Sequence, residues 1–223
     1  MSEPAPLPPA QTDPAVTAAS AAQAAYAAKV DAARSDAALS DLGRAEAIVQ
    51  AYEEHGAELQ RLAEDLHGRR VARLNHLQAQ IPTGPGIPTD ASPADAAVLQ
   101  TAFRAHLEAA RQASPEKRQQ MLADALRFGD DVQARAVLTA GQDAGHTKLI
   151  DQWADATGKR DLLTEIRALN EELAGHGPGR AWVGQAFRGA KRPPETFTLP
   201  ALRQEAEKAA QDAARARRPV YYG

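Results

Sequence analysis

Six histidines, His55, His67, His76, His106, His146 and His176, are the residues of this chain best suited to hold a metal or move a proton. A helical zinc site needs two of them about one turn apart on one face, and an HExxH signature adds a glutamate as general base. Neither pattern occurs, and His67 and His76, nine residues apart, cannot share an ion along one helix face. The chain has no cysteine, so thiolate zinc sites, cysteine nucleophiles and disulfide scaffolding are excluded, and a reducing cytoplasm is compatible. The serines are Ser2, Ser20, Ser35, Ser40, Ser92 and Ser114. None sits in a GxSxG elbow, and the last three stand where helix caps are expected. The stretch GHGPGRAW is rich in glycine but lacks the lysine and hydroxyl residue that end a phosphate loop, and no strand leads into it. The acid pairs Glu53 and Glu54, Asp130 and Asp131, and Glu171 and Glu172 read as solvated charges at helix starts or on polar faces. The expectation is a non-enzymatic protein with no catalytic residue, no metal and no cofactor.

The chemistry that remains is electrostatic. From His176 to Gly223 nine Lys and Arg stand against four Asp and Glu, whereas the whole chain has a formal charge of −3. An acidic body therefore carries a basic end. Arg180, Arg188, Lys191, Arg192, Arg203, Lys208, Arg215, Arg217 and Arg218 suit docking on an acidic protein surface. They also suit salt-sensitive contact with phosphates, or they form a solvated face. Interleaved acids and the lack of a nucleic-acid motif weigh against phosphate binding. Trp182, Val183, Phe187 and Phe197 lie among the first of these basic residues, in a stretch without helical or strand period, and large aromatics there must be buried on their own domain or on a partner.

The elements that position these residues read as all-α. Residues 1–14 are a proline-rich, disordered tail. Residues 15–81 contain no proline and are packed with Ala, Glu, Arg, Gln and Leu, which predicts a long coiled-coil-like helix or helical hairpin. Within it Leu42, Ala45, Val49, Tyr52, Gly56, Leu59, Ala63 and Leu66 recur in steps of three and four, a narrow seam that needs a partner helix. Leu42, Val49, Tyr52, Leu59, Leu62 and Leu66 are the residues expected to carry self-association. After Leu66 the register changes through Arg70, Leu74, Leu77 and Ile81, a stutter.

Residues 82–91 form a Pro/Gly linker, and a module boundary is expected near residue 90. Residues 92–175 read as a short-helix bundle or a tetratricopeptide-like array. Ser92 with Pro93, Ser114 with Pro115, Asp130, Thr147 and Asp161 open its helices, and Gly129, Gly145, Gly158 and Gly175 close four of them. Its expected core is Met121, Leu122, Leu126, Phe128, Val132, Val137, Leu138, Leu149, Ile150, Trp153, Leu162, Leu163, Ile166 and Leu169. Residues 176–198 are an aromatic and glycine-rich loop, and 199–223 a basic helix and tail. The amino terminus reads as no signal peptide, and no stretch approaches the apolar length of a membrane span, so the expected location is cytoplasmic with no membrane partner.

An alanine-rich rod, a proline-glycine hinge, a helical array and a basic terminal helix together resemble the layout of tailed-phage head scaffolding proteins. The segments LGRAEAIVQAYEEHGAELQRL and MLADALRFGDDVQARAVLTAGQDAGHTKLIDQW are similar to Ala-rich helical proteins encoded among head genes of phages and prophages of high-GC bacteria. The resemblance spans roughly residues 40 to 157. It implies virion morphogenesis: a capsid scaffold or internal head component, self-associating and residing in the host cytoplasm, procapsid or virion. It further implies that the basic end, Arg203, Lys208, Arg215, Arg217 and Arg218, grips the major capsid protein. The end departs from the usual scaffold pattern because Leu202 is the last large aliphatic residue before Val220, so Trp182 and Phe187 stand in as apolar anchors. Two other readings are open: a bacterial helical adaptor whose array binds a peptide or protein, and a DNA-associated packaging protein.

Overall fold

The computed structural model describes residues 6–9, 12–175 and 179–216, and among these the secondary structure is entirely helical. The helices are α1 (Pro14–Ser35), α2 (Asp41–Gln78), α3 (Pro93–Gln112), α4 (Pro115–Phe128), α5 (Asp131–Asp143), α6 (Thr147–Thr157), α7 (Arg160–Leu173), α8 (Gly179–Ala186) and α9 (Glu195–Ala216). None is long and apolar enough to cross a membrane. The chain divides into two compact units, one built on residues 70–174 and the other on 7–69 with the stretch from 175 onward. The division falls inside α2, at Arg69 and Arg70, so the linker 82–91 is not a boundary between compact units. The expected tail is described only at 6–9 and 12–14, and its other residues lie outside the described ones.

In the unit of 7–69 and 175 onward, Asp13 starts α1. Its carboxylate, fully buried, accepts the Ala15 amide at 2.9 Å, and Pro14 occupies the first helical position, where its missing N–H leaves no donor unpaired. Arg69 pairs with the same carboxylate at 2.9 Å. Val16 and Ala19 pack on Leu59, Leu62 and Ala186, whereas Val30 and Ala33 pack on Ile48. Contacts that advance along α1 while retreating along α2 make the pair antiparallel. The connection needs only a few residues, and Ser40 caps α2 by accepting the Gly43 amide.

The buried residues of α2 in this unit are Ala45, Ile48, Ala51, His55, Leu59, Leu62 and Leu66. Ala45, Leu59 and Leu66 of the expected stripe are among them, as is Leu62 of the expected association residues, but elsewhere the stripe is displaced by one residue: Ile48 takes the place given to Val49, Ala51 that of Tyr52 and His55 that of Gly56. Both stripes repeat every three to four residues, and adjacent apolar residues such as Ile48 and Val49 leave the rotation of the helix open until its neighbours are known. Two further boundaries differ from expectation. The stretch 176–198 contains a helix, α8, and the terminal helix begins at Glu195, four residues before Leu199, with Pro200 inside it. Its first turn forms on the diproline, since Thr196 and Phe197 amides donate to the carbonyls of Pro193 and Pro194 at 3.2 and 3.0 Å.

In the unit of 70–174, α3 touches α5, α4 touches α5 and α6, α5 touches α6, and α6 touches α7. Ser92, Ser114 and Asp130 cap α3, α4 and α5 as expected. Helix α6 differs: Thr147 is its first residue and His146 its cap position, whose side chain makes no capping bond, and α7 starts at Arg160 rather than Asp161. Helix α5 lies at the centre, burying Ala134, Ala136, Val137, Leu138, Ala140 and Gly141. Of the expected core, Met121, Leu126, Val132 and Ile150 are only half-buried, and Phe128, the last residue of α4, is 75% exposed with the Arg127 guanidinium 5.4 Å from its ring centre. A Cβ on Gly141 would stand 2.6 Å from Leu149 Cδ1, so glycine there permits the close approach of α5 and α6. Helix α2 ends at Gln78, not Ile81, although Leu74, Leu77 and Ile81 are all buried in this unit.

Charged side chains complete this core. Arg70 and Arg73, nearly buried, pair with Glu172 at 2.5 Å and Glu165 at 2.8 Å on α7. The Arg118 guanidinium donates to Ala110 O at 2.6 Å and Arg111 O at 2.9 Å, satisfying carbonyls at the end of α3, and its Nη1 lies 3.0 Å from His146 Nδ1. The linker packs here too: the Gly84 amide donates to Thr139 Oγ1 at 2.9 Å.

Candidate interaction surfaces

The residues expected to form one self-association seam fall into two groups. Leu59, Leu62 and Leu66 are 3%, 6% and 4% exposed, and the first two lie in the core with Val16, Ala19 and Ala186. Leu42, Val49 and Tyr52 are only half-buried. Val49 and Tyr52 line an open groove of about 490 Å³ together with Glu53, Arg192, Thr196, Leu199, Pro200 and Arg203. Helix α9 supplies its far wall, because Thr196, Leu199, Pro200 and Arg203 recur at helical spacing on one face. Leu199 is buried, whereas Phe197, two residues earlier and turned away, is 67% exposed.

Arg192 organises the mouth of the groove. Its guanidinium carbon lies 4.6 Å above the centre of the Phe197 ring, and its Nε donates to Thr196 Oγ1 at 3.0 Å. Arg203, expected to grip a partner, pairs with Glu46 at 3.1 Å, a solvent-exposed contact worth well under about 1 kcal/mol and easily exchanged. Lys208 and Arg215 are exposed, and every residue from Arg203 to Arg215 is exposed as well. Arg217 and Arg218 lie outside the described residues, as does the side chain of Trp182. Phe187 is half-buried against the Val16, Ala19, Leu59, Leu62 and Ala186 core, so it anchors the chain after α8 to its own unit.

A second feature lies between α1 and α2, where the His55 ring stacks on Tyr26 with centroids 4.7 Å apart and planes 10° from parallel. His55 is 6% exposed and its buried Nδ1 has no hydrogen-bond partner. Burial pushes the His55 pKa down and, as the largest influence, the Tyr26 pKa up. A cavity of about 230 Å³ adjoins the pair, lined by Ala22, Ala25, Lys29, Glu54 and Glu58. Lys29 pairs with Glu54 at 2.7 Å, and the bonds from Lys29 and Gln50 hold the Glu54 carboxyl below its usual range. In the other unit, hydrogen bonding from Arg73 lowers the Glu165 pKa.

Sequence reasoning did not single out Ile48; it read His55 as a surface or interface residue, Glu53 as a solvated charge and Arg192 as part of the basic end, and it expected Phe197 to be buried, whereas the ring is 67% exposed beneath Arg192. For Arg192 and Phe197 a signal existed: an arginine and an aromatic flank a diproline that can start a helix. For His55 there was none, since a lone histidine in a polar helix reads as surface. Among the described residues no group of three or more His, Asp or Glu is placed to hold a metal ion. No protein-family model matches the chain, and neither a curated protein nor a solved structure does.

Proposed function

We propose that this chain is a non-enzymatic virion morphogenesis protein of a tailed phage, a capsid scaffold or internal head component that self-associates and docks on the major capsid protein. The observation that carries the reading is α9. From Gln204 to Arg215, past the Arg203 pair with Glu46, it exposes every residue, so this part of the helix gains little from packing within its own chain. A helical segment of this kind is marginal in water unless something else covers it. Lys208 and Arg215 on this segment suit an acidic surface, and such contacts are reversible, as a scaffold that must later leave requires.

The reading moves the self-associating element away from Leu59 and Leu62, which are engaged inside the chain. It is tested by co-expression with candidate major capsid proteins of phages of high-GC bacteria, using the full chain and a chain ending at Leu202. Closed shells that contain the full chain and exclude the shortened one are the expected result. Shells that form equally well without the chain, and never retain it, count against the reading. A steep fall of DNA affinity with salt, centred on the same basic residues, would favour a packaging role instead. A helical adaptor is the second reading, favoured by the packing of α3 on α5 and α4 on α6, which leaves a polar groove lined by Gln119, Lys148, Asp151, Gln152 and Asp155.

A further inference from the structure

We infer that the groove between α2 and α9 is the face through which this chain binds a second copy of itself, the Phe197 ring of each copy entering the groove of the other. The inference rests on the self-associating part of the reading above and gives that association a place.

Three observations carry it. The first is the pairing of an exposed apolar ring with an unfilled apolar groove on one element. Phe197 is 67% exposed, and a groove of about 490 Å³ with Val49, Tyr52, Leu199 and Pro200 as its apolar surface lies beside it. Phe197 does not line the groove but packs under Arg192, which does, so site and filler adjoin, and adjoining ones suit a two-fold contact because each copy then gives and receives the same group. The second is charge. The groove carries both signs, with Arg192, Arg203 and Glu53 among its lining residues and Glu46 paired with Arg203. A uniformly basic rim would suit an acidic partner, whereas a mixed one is complementary to itself. Because the Arg192 guanidinium lies over the Phe197 ring, a Phe197 that enters the opposing groove brings Arg192 toward the Glu53 of the other copy. The two-fold axis repeats that pair. The third is composition: tyrosine, phenylalanine and arginine are enriched at interfaces, and tyrosine and arginine are among the residues that carry most of the binding energy there. Val49 and Tyr52 are thus the members of the expected seam left free for an outside contact.

The test uses the full chain in sedimentation velocity across a concentration series. Wild type is expected to dimerise. Phe197→Asp is expected to weaken the dimer by at least about 30-fold, as loss of a central aromatic does. Circular dichroism should be unchanged, since the side chain is exposed. Glu53→Arg and Arg192→Glu are each expected to weaken the dimer, and the two together to restore it toward wild type, because the swapped charges meet again across the axis. An oligomer that ignores Phe197→Asp, or a double variant no tighter than the single ones, overturns this contact while leaving self-association through another face. A monomer at every concentration overturns both this contact and the self-associating reading.

Discussion

Replacing Leu59 by alanine separates a leucine stripe that is core from one that is interface. Leu59 is 3% exposed and lies with Val16, Ala19, Leu62 and Ala186. Two of those four neighbours are alanines, so few atoms are available to relax into the space left by the lost isobutyl group. A loss of about 3 kcal/mol follows, in the middle of the range for buried Leu→Ala changes. At about 1.4 kcal/mol per decade, opening of α1 from α2 becomes roughly 100-fold more frequent. Native-state hydrogen exchange, read peptide by peptide, measures this directly. Peptides from 14–35 and 41–69 are expected to exchange faster by that factor, in dilute and concentrated samples alike. Peptides from 93–174, which belong to the other compact unit, are expected to keep their protection. Unchanged protection in 14–35 together with a fall in oligomer mass would refute the reasoning, because it would make Leu59 an intermolecular contact.

Acid should weaken the same helix pair through His55. Its folded pKa is lowered, so the neutral ring is favoured on folding; the stabilisation is complete above the unfolded value of about 6.5 and is lost as pH falls below it. The charged and titratable groups around the ring are Tyr26 and Lys29 on α1 and Glu54 and Glu58 on α2. His55→Phe is expected to flatten the fall in melting temperature between neutral pH and about pH 5, and parallel curves for the two proteins would show that His55 is not its source. Arg73→Met should destabilise the 70–174 unit by about 2 kcal/mol by stranding Glu165, a carboxylate that is partly solvated. Since Glu165 has a lowered pKa, the loss should be full at neutral pH and shrink as pH falls below the usual carboxylate value, and a loss that is equal in acid, by urea unfolding, would rule out the ion pair as its cause. Gly141→Ala gains helix propensity but drives a methyl group into Leu149, which is 1% exposed, and a net destabilisation of about 1 to 3 kcal/mol is expected; a raised unfolding midpoint would contradict the close approach of α5 and α6.

Much of the helical order was legible from local chemistry. Ser92, Ser114 and Asp130 act as caps because a short side-chain oxygen reaches an amide three residues on, and this depends on nothing distant. Gly129, Gly145, Gly158 and Gly175 all have positive φ, between 68° and 73°, for an equally local reason. What depended on neighbours was harder to read. The face of α2 is flanked by α1 through Ile48, Leu59 and Leu62 and by α9 through Val49, Tyr52 and the Arg203 pair with Glu46, so two partners broaden a stripe that looked like one seam. Arg70 read only as a step in the stutter and Arg73 carried no signal, yet both are buried, because their acceptors on α7 are about a hundred residues away in sequence. Helix α8 was hidden by its glycines, which lower helix propensity without forbidding a helix that α1 supports, Gln23 donating to Ala186 O at 2.8 Å.

The alanines of α1 look interchangeable in the sequence but have unequal standing in the fold. Ala15, Ala19 and Ala33 are 4%, 0% and 8% exposed, while Ala21, Ala24, Ala25, Ala27 and Ala28 face solvent. At Ala19 the methyl group sets how near the two helices come, so any longer side chain must lever them apart, and glycine would loosen the helix itself. On the outer face any good helix former serves equally well. A saturation scan across this monotonous segment would therefore return a wave of tolerance and intolerance with the period of an α-helix, about 3.6 residues, marking the buried line of contact by which substitutions the protein refuses.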